Sequence, residues 1–126
     1  FAPPKWTIWT ASKLGLADNL RSLNTLTLRK SLIQKDRKLI VEHLSEEVDE
    51  AASELRTKIE ALAAQFDAKT LELMNKLREF KDSSSTQRNT LKNEIKLLRR
   101  SLKSHWGEWV ELTKATVQQY DIVHAH

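Results

Sequence analysis

The fold class is decided by one stretch, residues 48–80, which has the sequence VDEAASELRTKIEALAAQFDAKTLELMNKLREF. From Leu55 to Phe80 its apolar residues recur at steps of three or four, interrupted only near Lys69 and Thr70. Such spacing places the apolar side chains on one face of an amphipathic helix, and a strand would need a period of two. Residues 48–80 therefore predict a long helix.

The same periodicity extends upstream to about Leu28, so we predict one helix over residues 28–82. A polar stretch follows at residues 81–89, with the sequence KDSSSTQRN. Within it, Ser84 and Gln87 have the S-x-x-Q spacing of a capping box, in which side chains bond the free N–H groups of a helix start. A new helix is expected to begin here.

A polar turn over residues 83–86 and a second long helix over residues 87–123 are predicted from this pattern. Two long helices joined by so few residues can pair only antiparallel. We therefore predict an all-α fold, a long antiparallel helical hairpin that is coiled-coil-like. The residues expected to pack between its helices are Leu55, Leu62, Phe66, Leu98, Leu102, Trp106 and Trp109.

The expected register of the hairpin follows from the position of its turn. If the turn centres near residue 83, residue i lies opposite residue 166 − i. Trp106 then faces residues 60–64, where small side chains leave room for indole rings. Close packing of large residues against small ones is predicted at this level.

The helical pattern is weaker in the N-terminal part of the chain. Residues 12–27 predict a shorter helix or helix-bend, with a break around residues 24–28, because Gly15, Thr25 and Thr27 lower the helix propensity.

Residues 1–11, FAPPKWTIWTA, predict an extended arm, because two adjacent prolines disfavour helix. The arm carries an unusual apolar load for a solvated segment, and Trp6, Ile8 and Trp9 are the predicted anchor of an interaction. At the other end, residues 124–126 are a short tail.

The residue types and their spacing argue against a catalytic or metal site. The 126 residues include no cysteine, which excludes disulfides and thiolate sites. Ser83 to Ser85 have no histidine nearby, and a capping role explains them. His43 shares a helix face with Glu46 and Glu47, but no second set of ligands matches it on the other helix. We predict no enzyme, and no catalytic, cofactor or metal site.

The C-terminal histidines, His124 and His126, lie on a terminus that is expected to fray. Two imidazoles held this loosely make a weak metal site, and none is assigned.

Several apolar residues fall beside the predicted hairpin face. They are Leu39, Ile40, Leu71 and Leu97. Either the N-terminal helix folds back to make a three-helix bundle, or this flank packs on another protein, and we favour the partner. A domain-swapped or paired dimer is the self-associating alternative.

A basic stripe runs along the second helix, comprising Lys92, Lys96, Arg99, Arg100 and Lys103. Such a stripe could meet phosphates, but acidic residues are interleaved along the chain and no nucleic-acid motif is present. Ion pairing within the hairpin or with a partner is favoured, and nucleic acid is not.

These features predict a non-catalytic structural or interaction subunit, a helical strut or adaptor that docks on other protein subunits through its arm and hairpin flank. A peripheral lipid- or membrane-surface-binding role is the alternative, since indole rings and lysines favour the headgroup zone. The chain begins at Phe1, and if a presequence precedes it, an organelle such as the mitochondrion is expected. Absent cysteines and N-glycosylation sequons favour an intracellular location.

Overall fold

The computed structural model describes the backbone of residues 17–122 and the side chains of residues 24–122. This part of the chain contains three helices and no strand. The helices are α1 (Ala17–Leu44), α2 (Glu50–Lys81) and α3 (Ser85–Gln119). Helices α2 and α3 form the long antiparallel hairpin, which confirms the predicted all-α class. The predicted arm over residues 1–11 and tail over residues 124–126 lie outside the described residues.

The single helix predicted over residues 28–82 is divided by a loop at residues 45–49. Asp49 has an extended backbone and begins α2 by accepting a hydrogen bond from Ala52 N at 2.6 Å. Across the loop, Arg56 Nη2 of α2 donates to the Leu44 carbonyl at 2.8 Å. This carbonyl is at the C-terminal end of α1, where carbonyl groups have no partner within the helix.

The break predicted around residues 24–28 is absent, because α1 runs through it without interruption. Leu26, Ile33 and Ile40 are buried and recur every seven residues along α1. Burial of this stripe outweighs the weak helix propensity of the neighbouring threonines. Residues 17–27 of the predicted short helix and the first part of the predicted long helix are therefore one element.

The hairpin core of α2 is a continuous stripe. Seven of its nine buried residues follow one another at steps of four and three: Ile59, Ala63, Phe66, Thr70, Leu73, Leu77 and Phe80. Thr70 occupies the place where the apolar series looked interrupted, and its hydroxyl donates to the Phe66 carbonyl at 2.8 Å. The polar group is thus satisfied inside the helix, so burying it carries little cost.

The register of the hairpin differs from the prediction. Gln65 contacts His105, Lys69 contacts Ser101 and Lys76 contacts Glu94, so residue i meets residue 170 − i. Helical side chains lean toward the N-terminus of their own helix, which is away from the turn in α2 and toward it in α3. A lean of about one residue on each helix accounts for about half of this shift of four residues.

Helix α1 packs along the hairpin and runs antiparallel to α2, where Gln34 Nε2 donates to Asp67 Oδ2 at 2.8 Å. Of the flank residues that predicted a partner, Ile40 is fully buried and Leu39 is half-buried against the core. Leu71 and Leu97 remain exposed. The chain's own first helix therefore covers part of the flank for which we favoured a partner.

Candidate binding cleft between the first and third helices

The residues predicted to pack in the hairpin all belong to the core or pack against it. Leu62, Phe66, Leu102 and Trp109 are buried. The half-buried members are Leu55, Leu98 and Trp106. The two tryptophans differ from the prediction in one respect, because both make a defined contact with α1.

The indole of Trp109 is 1% exposed and joins α3 to α1. Its Nε1 donates to Asp36 Oδ2 at 3.3 Å. Asp36 is itself only 7% exposed, which is unusual for a carboxylate and is tolerated where the charge has hydrogen-bonding partners. Asp36 was not among the predicted site residues, because in the sequence an acidic residue on a helix has the pattern of a solvated one.

Trp106 lies one turn earlier on α3 and is half-buried. The guanidinium carbon of Arg29, on α1, lies 4.9 Å from the centre of the indole ring. This is cation–π geometry, which attracts the charge to the ring face and holds the long arginine side chain in place. Arg29 was also missed, since nothing in its sequence context marks it.

Helix α1 packs more extensively on α2 than on α3, and a cleft stays open between α1 and α3. One part of it, here called the apolar half, has a volume of about 440 Å³. Its lining comprises five apolar residues, Leu32, Trp106, Trp109, Val110 and Val117, and four polar or charged ones, Asp36, Thr113, Lys114 and Gln118. Val110 is 40% exposed at its edge, so apolar surface is accessible there.

The second part, here called the basic half, has a volume of about 410 Å³. It lies beside earlier residues of both helices than the apolar half does. Five cationic residues line it, namely Arg29, Lys96, Arg99, Arg100 and Lys103, and none of its described lining residues is acidic. Four of the five residues of the basic stripe predicted on the second helix thus line a groove, Lys92 lies outside its lining, and Arg29 is added from α1.

A further hollow near the hairpin turn has a different character. Lys76 Nζ lies 2.8 Å from Glu94 Oε2 and 3.6 Å from Glu79 Oε2. The hydrogen bond to Glu94 raises the pKa of Lys76 above 10.5, partly opposed by desolvation. Charges here satisfy one another, whereas those of the basic half share one sign.

At the opposite end of the bundle, the last turn of α3 meets the loop that follows α1. Burial raises the pKa of the Tyr120 hydroxyl above 10.0, and the charges of Asp49 and Glu47 and a hydrogen bond to Asp49 add to the effect. Asp121 then adopts a left-handed φ of 50°, and Ile122 N donates to the Val117 carbonyl at 3.0 Å. The chain turns back on α3 and buries Ile122.

The side-chain hydrogen bonds of the predicted capping box do not form. Ser84 occupies the N-cap position of α3, but its hydroxyl makes no bond to a free backbone N–H. Its Oγ lies instead 3.0 Å from Thr86 Oγ1, and Gln87 N donates to the Ser84 carbonyl at 3.1 Å. The side-chain contribution expected from this cap is therefore small.

Within residues 24–122, the structure contains no group of three histidine or acidic side chains that could hold a metal ion. His43 and its neighbouring glutamates are part of this region, and His124 and His126 lie outside it. The predicted arm anchor of Trp6, Ile8 and Trp9 also lies outside the described residues.

Comparison with known proteins finds no matching family model, no matching curated protein and no matching solved structure. None of the helices over the described residues is long and apolar enough to span a membrane. The shape and chemistry of the cleft are therefore the ground for assigning a function.

Proposed function

We propose that this chain is a non-catalytic helical interaction protein, a strut or adaptor within a larger protein assembly, which binds a partner through the cleft between α1 and α3. The apolar half of the cleft carries the proposal. It combines a buried indole, Trp109, with the accessible edge residue Val110. Tryptophan-lined apolar grooves with polar edges are typical of the central contacts of protein interfaces.

The proposed interface extends beyond the apolar half along α1. Leu28 is exposed one helical turn before Leu32, a lining residue of the cleft. Residues four apart share a helix face, so Leu28 continues the apolar strip toward the basic half. A partner seated in the cleft would cover both leucines. The arm residues Trp6, Ile8 and Trp9 are proposed as a second anchor.

Two finer features belong to the same proposal. The steps of four and three residues between Ile59 and Phe80 are the spacing used by coiled coils, and we include a coiled-coil hairpin in the proposal. Membership of a complex, and an organelle location such as the mitochondrion, stay predictions that fractionation of the native source would test.

The test uses tagged full-length chains purified from the native source under mild conditions. The wild type is expected to co-migrate, after size separation, with a defined set of proteins far above the mass of one chain. Val110→Glu places a charge in the apolar half and is expected to lose that set. Leu71→Glu is the matched control, because Leu71 is exposed and lies outside the cleft lining.

The proposal fails if all three chains migrate as free small species, or if Val110→Glu retains the same proteins as the wild type. Circular dichroism checks that each variant is folded. Flotation with phosphatidylserine-containing vesicles tests the lipid-binding alternative. Retention on vesicles that is lost when Trp6 and Trp9 become alanine would replace the partner proposal with membrane-surface binding.

A further inference from the structure

We infer that the occupant of the cleft is an acidic amphipathic helix of another protein, with apolar side chains along the apolar half and carboxylates at the basic half. This inference rests on the proposed function and adds the chemistry of the partner. It follows from the order of the two halves, because both lie between the same pair of helices. Arg29 lines one half, Trp106 lines the other, and the two side chains contact each other.

The basic half contains exposed cations that are not engaged in ion pairs with other described residues. In the described part of the chain, no ion pair engages Lys96, Arg100 or Lys103. All three side chains are exposed. Cations grouped on one wall repel one another, and a carboxylate-bearing partner relieves that repulsion. Arg29 is held against the Trp106 ring, which reduces the conformational entropy it would lose on binding.

The apolar half selects against a partner that is acidic throughout. Its charged lining residues, Asp36 and Lys114, have opposite signs, and Asp36 is already bonded to the Trp109 indole. Of the described lining residues, only Lys114 could pair with a carboxylate, so any further carboxylate placed here would be desolvated without compensation. The partner therefore needs apolar groups at this level and acidic groups at the other.

The dimensions of the cleft suit a helix. From Lys96 to Val117 the wall formed by α3 extends about 32 Å, at 1.5 Å per helical residue, which is the length of a helix of about 21 residues. The two walls, α1 and α3, run parallel because each is antiparallel to α2. A helix laid between them completes a four-helix arrangement and shields apolar surface along its whole length.

A nucleic acid fits this cleft less well. The basic wall from Lys96 to Lys103 is about 10 Å long, which spans only a few phosphates. In the adjoining apolar half, a phosphodiester backbone would lose its hydration without gaining favourable polar contacts. The chain's own residues 1–16 carry two lysines and no acid, so they do not complement the basic half either.

The probes for the test are labelled synthetic peptides of about 21 residues with leucines on one helical face. In one peptide the glutamates occupy the N-terminal third, and in a second they occupy the C-terminal third. Each has a counterpart with lysine in place of glutamate. By fluorescence anisotropy with the full-length chain, at least one glutamate peptide should bind about tenfold tighter than its lysine counterpart in low salt. In about 0.5 M salt, screening should reduce the difference to about threefold or less.

Charge-matched variants locate the preference. Arg100→Glu with Lys103→Glu should reverse the order of the glutamate and lysine peptides. Lys38→Glu with Lys58→Glu makes the same change in net charge at exposed positions outside the cleft, and it should leave the order unchanged.

Three results would overturn the inference. The first is equal affinity of the wild type for glutamate and lysine peptides, and the second is an equal loss of the preference for glutamate peptides in the two charge variants. The third is tighter binding of a single-stranded oligonucleotide than of the glutamate peptide. The Val110→Glu variant separates this inference from the proposed function. If it weakens both kinds of peptide about tenfold while their charges have no effect, the cleft binds helices but the acidic partner is wrong.

Discussion

Replacing Trp109 by phenylalanine tests the polar link that holds α1 against α3. The indole Nε1 donates to Asp36 Oδ2 at 3.3 Å, in a region where Asp36 is 7% exposed. Phenylalanine keeps much of the ring but has no donor, so the buried carboxylate loses a hydrogen bond. Removing a hydrogen-bond donor from a buried acceptor lowers the stability of a protein by about 1–3 kcal/mol. We therefore expect the free energy of unfolding to fall by about 2 kcal/mol.

The assay is urea unfolding followed by far-UV circular dichroism, with thermal unfolding as a second measure. A loss of about 2 kcal/mol should lower Tm by about 8 °C in a domain of this size. Trp106→Phe is the matched control, because a phenylalanine ring keeps its face toward Arg29, and a loss below about 1 kcal/mol is expected. Combining Trp109→Phe with Asp36→Ala, which removes the acceptor, completes a double-mutant cycle, for which a coupling free energy of about 1 kcal/mol is expected.

Two results would refute this reasoning. If Trp109→Phe and Trp106→Phe lower the free energy of unfolding equally, ring volume alone explains both losses. If the effects of Trp109→Phe and Asp36→Ala are additive, the bond between the indole and the carboxylate does not stabilise the fold.

Three shorter predictions concern the core, the helix starts and the far end of the bundle. Leu73→Ala should cost about 2–5 kcal/mol in urea unfolding, because Leu73 is buried, and Leu71→Ala less than about 0.5 kcal/mol; similar losses would contradict the packing. Asp49→Ala should cost about 1 kcal/mol by removing the cap of α2, whereas Ser84→Ala should cost little, and the reverse order would contradict the cap assignments. Tyr120 is the single tyrosine, so phenolate absorbance reports its pKa, which should exceed 10.0 in the wild type and fall toward 10.0 in Asp49→Asn. Because the pKa is raised in the folded state, the free energy of unfolding should decrease as the pH rises from 10.0 through the folded pKa. A wild-type pKa at or below 10.0 would refute the account.

Much of the hairpin could be predicted because its apolar residues repeat over many turns. The series from Ile59 to Phe80 contains no competing period, and the polar stretch after Phe80 marks the turn. The loop at residues 45–49 escaped prediction because it has no glycine or proline. Leu44 and Val48 even keep helical spacing across it, although Val48 is fully exposed.

The cleft could be predicted only in part. The basic stripe on α3 was visible in the sequence. Four of its five residues line a groove because α1 lies beside them, and the position of α1 depends on the loop at residues 45–49, which was not predicted. Arg29 and Asp36 acquire their roles only through contact with Trp106 and Trp109, more than seventy residues away. One-dimensional patterns do not contain such pairings.

The claim that the cleft is a partner-binding surface is tested most directly by photo-crosslinking in the native source, with a photoreactive residue at position 110 or, as a control, at position 97. Val110 lines the cleft, whereas Leu97 is 62% exposed and lies outside its lining. The account predicts a discrete product from position 110, joined to an acidic helical segment of one partner protein, and no such product from position 97. Identical products from both positions, or none from position 110, would contradict it.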